Sequence, residues 1–145
     1  NYLLDDEVIV LVGLSDKQRK NLPKNIIGLP KTNETPELAS IYSSANVFFN
    51  PTLEDNFPTT NIEALACGTP VVTFDTGGSA EIIDSDTGLV IYDRSIENMY
   101  NTIRKYKTKS KKQCESCVQR VKELYNKEER FMDYLDLYSN LIKNR

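Results

Sequence analysis

The chain alternates short apolar runs with segments in which apolar residues recur every three or four positions. Five runs predict strands, at 7–13, 25–29, 46–50, 70–74 and 87–92. The first, EVIVLVG, is continuously apolar, which is typical of a strand buried on both faces of a parallel sheet. Helical spacing and end signals predict helices at 16–21, 35–45, 58–67, 79–83, 95–107, 109–125 and 126–143.

Strands that alternate with helices indicate a parallel sheet with helices on both of its faces. We therefore predict an α/β fold, Rossmann-like and built of three α/β/α layers, with further helices at the C-terminus. The length favours a single domain over residues 1–145. Because ligands bind such sheets beyond the carboxyl ends of the strands, the residues that follow the strand 46–50 are the first candidates for a site.

Composition excludes several classes of function. The 145 residues contain no histidine, which rules out a histidine–metal site, a Ser–His triad and a histidine base within the chain. Cys114 and Cys117 form a lone CESC in a polar helical segment, and we interpret them as structural rather than redox-active or metal-binding. No apolar run approaches the roughly 20 residues of a membrane span.

Charge is distributed unevenly. Residues 1–100 carry 6 Lys/Arg and 15 Asp/Glu, whereas residues 101–145 carry 12 and 6, for a net charge of −3. The acidic body argues against a nucleic-acid partner. We interpret the basic stretch 104–112 as a solvated joint between two helices, with contact to an anionic membrane surface as the alternative. The start of the chain, NYLLDD, resembles the end of a helix, so we expect a fragment of a larger protein.

The segment 55–63 combines a predicted helix start with polar residues suited to a phosphate. A helix N-terminus has unpaired N–H groups and a partial positive charge, and phosphate binds there readily. Pro58 suits the first helical position, where its missing N–H costs little. The three residues that follow would then offer free N–H groups, two hydroxyls and an amide. These predicted phosphate-binding residues are Pro58, Thr59, Thr60 and Asn61.

Two carboxylates flank this helix start. Asp55 precedes the helix and Glu63 lies more than one turn inside it, so they project to different sides of a bound phosphate. A carboxylate can accept two hydrogen bonds from a vicinal diol, and a nucleoside diphosphate-sugar carries hydroxyls on both sides of its pyrophosphate. The spacing suits the sugar on Asp55 and the ribose on Glu63. The alternative is that Asp55 only caps the helix region and Glu63 is an exposed helix residue.

Residues 53–78 resemble the signature of the glycosyl transferases group 1, the retaining GT-B nucleotide-sugar glycosyltransferases of family 4. That signature is an acidic residue, seven others and a Glu, then an Ala-rich stretch, Gly-x-Pro-Val-Val and a Gly-Gly turn. Here it is Asp55, NFPTTNI and Glu63, followed by ALACGTPVV and TGGSAEII. The first acid is usually Glu, and Asp55 is a variation on it. The resemblance implies a C-terminal donor-binding domain in which Asp55 binds the donor sugar, Glu63 binds the ribose, and Gly77 and Gly78 shape a loop.

The resemblance also implies an activity for the full protein. It would transfer a sugar with retention from a UDP- or GDP-linked donor to a glycan or lipid-linked acceptor, in surface polysaccharide synthesis. No metal or other cofactor is expected, and we interpret the string 84–86 (DSD) as a polar turn. The acceptor would bind an N-terminal domain absent from this chain, so we expect the chain alone to be inactive and assign no catalytic residue in it. The location would be cytoplasmic, with peripheral contact to the inner membrane face.

Two other classes of function remain open at this point. One is a nucleotide-sugar epimerase or phosphorylase on the same fold. The other is a non-catalytic α/β nucleotide-binding module, which includes a pseudo-transferase kept as a scaffold. The motif favours the transferases because it includes Gly-Thr-Pro-Val-Val at 68–72.

Overall fold

In the computed structural model, which describes residues 2–143, the chain divides after Ile41 into two compact units. The first contains strand β1 (Ile9–Val12), helix α1 (Asp16–Arg19) and strand β2 (Ile26–Leu29). It also contains most of helix α2 (Thr35–Ser44), which ends in the second unit. The two strands pair in parallel, with Ile9 opposite Ile26.

The strand β1 is less buried than its sequence predicts. Its four residues keep between 38% and 45% of their surface exposed, so the expectation of burial on both faces is wrong for the described residues. The strand pairs with β2 along one edge, and the described residues leave its faces partly open to solvent.

The second unit is built on a three-stranded parallel sheet in the order β3-β4-β5. Its elements are strand β3 (Phe48–Asn50), helix α3 (Thr59–Ala66), strands β4 (Val71–Phe74) and β5 (Gly88–Ile91), and helices α4 (Ile96–Arg104), α5 (Lys111–Leu124) and α6 (Lys127–Lys143). Every residue of the central strand β4 is buried, including the polar Thr73.

The core of this unit forms where the sheet meets the helices that follow it. Val72, Phe74, Ile91 and Tyr106 are buried together, and Met99 and Ile103 of α4 are among the partly buried side chains that pack against them.

All five strands lie within their predicted ranges, and the α/β fold with parallel strands and C-terminal helices is confirmed. The description of residues 1–145 as one domain stays a prediction.

Residues 79–83, predicted as a short helix, form no helix, and residues 77–82 are in hydrogen-bonded turns instead. The N–H of Ser79 donates to the carbonyl of Thr76, and the N–H of Glu81 donates to the carbonyl of Gly78. These bonds close tight turns and not the wider rings of an α-helix. Arg120 of α5 donates to the carbonyl oxygens of residues 81, 82 and 83, so these groups are bound by a side chain from a distant helix.

Asp84 organises the turn before β5, as the polar-turn interpretation of residues 84–86 predicts. Its Oδ1 accepts hydrogen bonds from the N–H and the hydroxyl of Thr87, at 3.0 and 2.8 Å. Its Oδ2 lies 2.6 Å from the Arg120 guanidinium. Partial burial acts to raise the pKa of Asp84, but the bonds from Thr87 and the charge of Arg120 outweigh it and hold the pKa below its usual value.

We expect the Asp84→Asn variant to lose less stability in acid than the wild type does. Because the pKa is lower in the folded state than in the unfolded state, the carboxylate stabilises the fold above about pH 4. That contribution is lost as the pH falls through the lowered folded-state pKa. Urea unfolding between about pH 2 and pH 7 measures this contribution. At neutral pH the free energy of unfolding of the wild type should exceed that of the variant by less than about 1 kcal/mol, since the Asp84 side chain is 43% exposed.

The matched control for this comparison is Asp86→Asn, because the Asp86 carboxylate is exposed and accepts no hydrogen bond from described residues. It should follow the wild-type profile. Parallel profiles for the wild type and Asp84→Asn would refute a stabilising role for the Asp84 carboxylate.

Candidate functional site

The loops that leave the carboxyl ends of β3 and β4 are joined at one edge of the sheet. The hydroxyl of Thr73 donates to the carbonyl of Asn50 at 3.1 Å, and the hydroxyl of Thr76 donates to the carbonyl of Thr52 at 3.2 Å. Further along, the N–H of Gly78 donates to the carbonyl of residue 56 at 2.8 Å. The edge predicted to bind a ligand is therefore a hydrogen-bonded pair of loops.

Gly77 and Gly78 allow the closest approach between these loops. A Cβ at Gly77 would overlap the carbonyl oxygen of Asp55, and its φ of +47° is a conformation that other residues rarely adopt. A Cβ at Gly78 would lie 2.5 Å from the Phe57 ring and 2.6 Å from the carbonyl oxygen of Asn56. Both positions require glycine because the backbone of residues 55–57 lies directly against them.

Helix α3 begins at Thr59, one residue later than predicted. Pro58 is the N-cap, with φ −71° and ψ 105°, so its placement as the first helical residue is wrong. Its extended ψ puts it outside the helix, while its carbonyl accepts the bond from the N–H of Asn61 at 3.1 Å. Thr59 and Thr60 are exposed, and no described residue accepts from their backbone N–H groups. The start of α3 therefore has two open donors.

Asn61 does not have the free groups that the sequence predicts. Its backbone N–H is bound to Pro58, and its side chain is fully buried. Asn50 at the end of β3 donates its Nδ2 to the Oδ1 of Asn61 at 2.9 Å. The Nδ2 of Asn61 is buried without a partner among the described residues. The prediction of a free N–H and an accessible amide is wrong, because this side chain links α3 to β3 inside the unit.

The Asp55 carboxylate is exposed, and one of its two oxygens accepts a hydrogen bond within the chain. Its Oδ1 accepts from the N–H of Phe57 at 3.0 Å, which closes a local turn between the end of β3 and the start of α3. Its Oδ2 accepts no hydrogen bond from the described residues. One oxygen therefore remains available to a hydroxyl of a ligand.

The Glu63 carboxylate is also exposed and has one internal partner. Its Oε2 accepts from the hydroxyl of Tyr42 at 3.3 Å. Burial, and then the negative charge and hydrogen bond of Glu63, raise the pKa of Tyr42 to about 12. The sequence pattern did not single out Tyr42, and this contact was not predicted. The available signal was that a buried tyrosine hydroxyl needs a partner.

Lys109 is a second residue whose role the sequence did not indicate. The structure confirms the predicted joint, since α4 ends at Arg104 and α5 begins at Lys111. Within the joint, Lys109 Nζ donates to the carbonyl of Ser43 at 2.6 Å, in the last turn of α2. A cation at this end complements the carbonyl groups of the helix C-terminus. The joint is thus bound to α2 and not only solvated.

The cysteines have packing roles. Cys117 is fully buried on α5, and burial raises the pKa of its thiol to about 12, so it is not a reactive thiolate. Cys114 packs against Gly68, and a Cβ added at Gly68 would lie 3.3 Å from the Cβ of Cys114.

In residues 2–143 no three His, Cys, Asp or Glu side chains cluster as metal ligands would. No helix in the same residues is long and apolar enough to cross a membrane.

A model of the family glycosyl transferases group 1 matches residues 4–124, and the chain belongs to this family. Over 77 residues it is 36% identical to a D-inositol 3-phosphate glycosyltransferase of Paenarthrobacter aurescens. The matched segment is 48% of this chain and 19% of that relative, so the chain spans only a small part of the length of that relative.

Solved structures show the same fold. Sucrose-phosphate synthase from Thermosynechococcus elongatus superposes with a TM-score of 0.76 at 27% identity, over 94% of this chain and 39% of that protein. The catalytic domain of starch synthase IV from Arabidopsis thaliana, bound to ADP and acarbose, superposes with a TM-score of 0.61 at 17% identity. That match covers 85% of this chain and 28% of that domain, and it bears on the fold alone. The described α/β architecture is that of GT-B glycosyltransferases.

Proposed function

We propose that this chain carries the donor-binding site of a retaining, family 4 glycosyltransferase that uses a UDP- or GDP-linked sugar. One observation carries the proposal. The open start of α3, at the carboxyl edge of the sheet, is flanked by Asp55 and Glu63, and each of these carboxylates has one oxygen without a partner among the described residues.

The phosphates would bind the start of α3. The free N–H groups of Thr59 and Thr60 donate to phosphate oxygens, their hydroxyls add two more donors, and the helix end contributes a partial positive charge. Pro58 and the buried Asn61 would fix where the helix begins and would not touch the phosphate. This assignment follows from their burial and internal bonds.

The carboxylates would bind the two hydroxyl-bearing ends of the donor. Glu63 would accept from the ribose diol and Asp55 from hydroxyls of the transferred sugar. Gly77 and Gly78 would keep the second loop close enough to hold the Asp55 backbone in place. During transfer, negative charge develops on the leaving diphosphate, and the helix start would stabilise it.

The wider setting of the activity rests on the family resemblance. The acceptor would be a glycan or a lipid-linked glycan, and the product a surface polysaccharide. The enzyme would work in the cytoplasm, with peripheral contact to the inner membrane face, and without a metal.

Amide NMR of the chain, titrated with UDP, GDP and UDP-sugars, tests the donor site. Because the ligand would contact the start of α3 and the glycine loop, we expect shift changes concentrated at residues 59–63 and 77–78. In Glu63→Ala the same shift changes should need a much higher nucleotide concentration, because the ribose contact is lost and the phosphate contacts remain. The base that gives the larger shifts at equal concentration identifies the nucleotide.

Two outcomes would contradict the proposal. One is the absence of any shift up to millimolar nucleotide in the full-length protein as well as in the chain. The other is a set of shifts confined to residues away from this edge. The epimerase alternative is tested by incubating the full-length protein with a UDP-sugar and no acceptor. Only an epimerase would produce the epimeric sugar nucleotide under these conditions.

A further inference from the structure

Tyr42 connects three elements around Glu63. It lies in the last turns of α2 and only 9% of its surface is exposed. Its ring packs edge-on against Phe48 of β3, with centroids 5.3 Å apart and planes at 85°. Its hydroxyl reaches the Glu63 carboxylate on α3. The ring is held by the sheet, so the position of the hydroxyl is fixed.

The backbone of Tyr42 is also held. Its carbonyl oxygen accepts from the hydroxyl of Thr69 at 2.6 Å, and Thr69 is fully buried. Lys109 Nζ lies 3.3 Å from the same Thr69 hydroxyl and also donates to the neighbouring carbonyl of Ser43. The tyrosine is therefore anchored at both its ring and its main chain, whereas Glu63 is an exposed side chain on a helix surface.

The hydroxyl of Tyr42 keeps its proton under ordinary conditions. With a pKa raised to about 12, it remains a neutral donor across the physiological range. A neutral O–H donating to a carboxylate forms a charge-assisted hydrogen bond, and at 3.3 Å this one is longer than the strongest bonds of that kind. The bond engages Oε2 of Glu63 and leaves Oε1 without a partner among the described residues.

We propose that Tyr42 is a positioning residue that orients the Glu63 carboxylate toward the ribose diol of the nucleotide. The inference deepens the proposed function and rests on it. A free glutamate side chain samples several rotamers, and ordering it on binding costs free energy. A tyrosine that already holds one carboxylate oxygen removes part of this cost before the ligand arrives.

The test compares Tyr42→Phe with the wild type on two probes. The substitution keeps the ring that packs on Phe48 and removes only the hydroxyl. Calorimetry on the full-length protein would use UDP or GDP, whichever binds more tightly, and its 2′,3′-dideoxy counterpart. We expect Tyr42→Phe to weaken binding of the ribonucleotide by about three- to tenfold and to leave binding of the dideoxy nucleotide unchanged.

Tyr106→Phe is the matched control. Tyr106 is equally buried in the same unit, at 6% exposure, and packs in the core beside α4. The change removes the hydroxyl of a buried tyrosine that is not bonded to Glu63, so it should leave the affinity for both nucleotides at the wild-type value. This variant measures any effect that comes from a Tyr→Phe change in the core of this unit alone.

Three outcomes would overturn the inference, and they separate it from the proposed function. An equal loss for the ribonucleotide and the dideoxy nucleotide would make Tyr42 a structural residue only. If Glu63→Gln weakens ribonucleotide binding and Tyr42→Phe does not, the ribose site stands and the positioning role is wrong. If the wild-type protein binds neither UDP nor GDP, the proposed function fails, and the inference fails with it.

Discussion

Glu63→Gln should weaken nucleotide binding by about thirtyfold, which corresponds to about 2 kcal/mol, without unfolding the protein. The substitution preserves the shape of the side chain and removes its charge. Two charge-assisted bonds from the ribose diol would become weaker neutral bonds. The fold should tolerate the change, because Glu63 is exposed and its one internal partner, the hydroxyl of Tyr42, can donate to an amide oxygen as well.

Calorimetry with UDP, GDP and inorganic pyrophosphate measures this effect and localises it. Pyrophosphate lacks a ribose, so its affinity should not fall in Glu63→Gln. Glu115→Gln provides the control, since Glu115 is an exposed glutamate on α5 with only a 3.8 Å ion pair to Lys111. Wild-type nucleotide affinity in Glu63→Gln would refute the ribose role. An equal loss for nucleotide and pyrophosphate would assign Glu63 to the phosphates instead.

Gly77→Ala is the substitution with the largest expected cost to stability, about 2–4 kcal/mol. The positive φ alone costs about 1 kcal/mol in a residue with a Cβ. The added Cβ would also overlap the carbonyl oxygen of Asp55, so the backbone of the preceding loop has to move. A flexible side chain could rotate away, but a main-chain carbonyl cannot. The displacement would carry Asp55 with it, so nucleotide-sugar affinity should also fall.

Gly13→Ala isolates the contribution of the overlap. Gly13 has a φ of +90°, and nothing lies within 4 Å of a Cβ placed there. Its substitution should cost only the conformational term, about 1 kcal/mol. Urea unfolding of both variants gives the two values. Equal losses would show that the loop around Asp55 adapts freely and that Gly77 is needed only for its backbone conformation.

The sequence predicts best the features that depend on local pattern. The strand β4 was recognisable because three of its four residues are apolar and it lies between turn signals at Gly68 and Gly77, and its prediction as a strand is confirmed. The polar turn at Asp84 was recognisable because its partner Thr87 is only three residues away. The joint between α4 and α5 follows from a run of basic residues that interrupts two helical patterns.

The features that the sequence does not predict depend on residues far apart in the chain. Residues 79–83 have a helical composition, but Arg120, about 40 residues later, binds their carbonyl oxygens and leaves only turns. Asn61 appeared accessible because asparagine is usually exposed. It is buried because Asn50, 11 residues earlier, donates to it. In the candidate site, the placement of Asp55 and Glu63 on either side of a helix start followed from spacing, and their ligand roles stay predictions.

The backbone contact between residues 55–57 and the glycine pair has a consequence for how this region can diverge. The bond from Gly78 to the carbonyl of Asn56, and the bond from Thr76 to the carbonyl of Thr52, fix how far apart the two loops can be. An insertion or deletion of one residue in either loop would shift these partners out of register. Side chains in the loops can change, whereas the number of residues between β3 and α3, and between β4 and the glycine pair, is constrained.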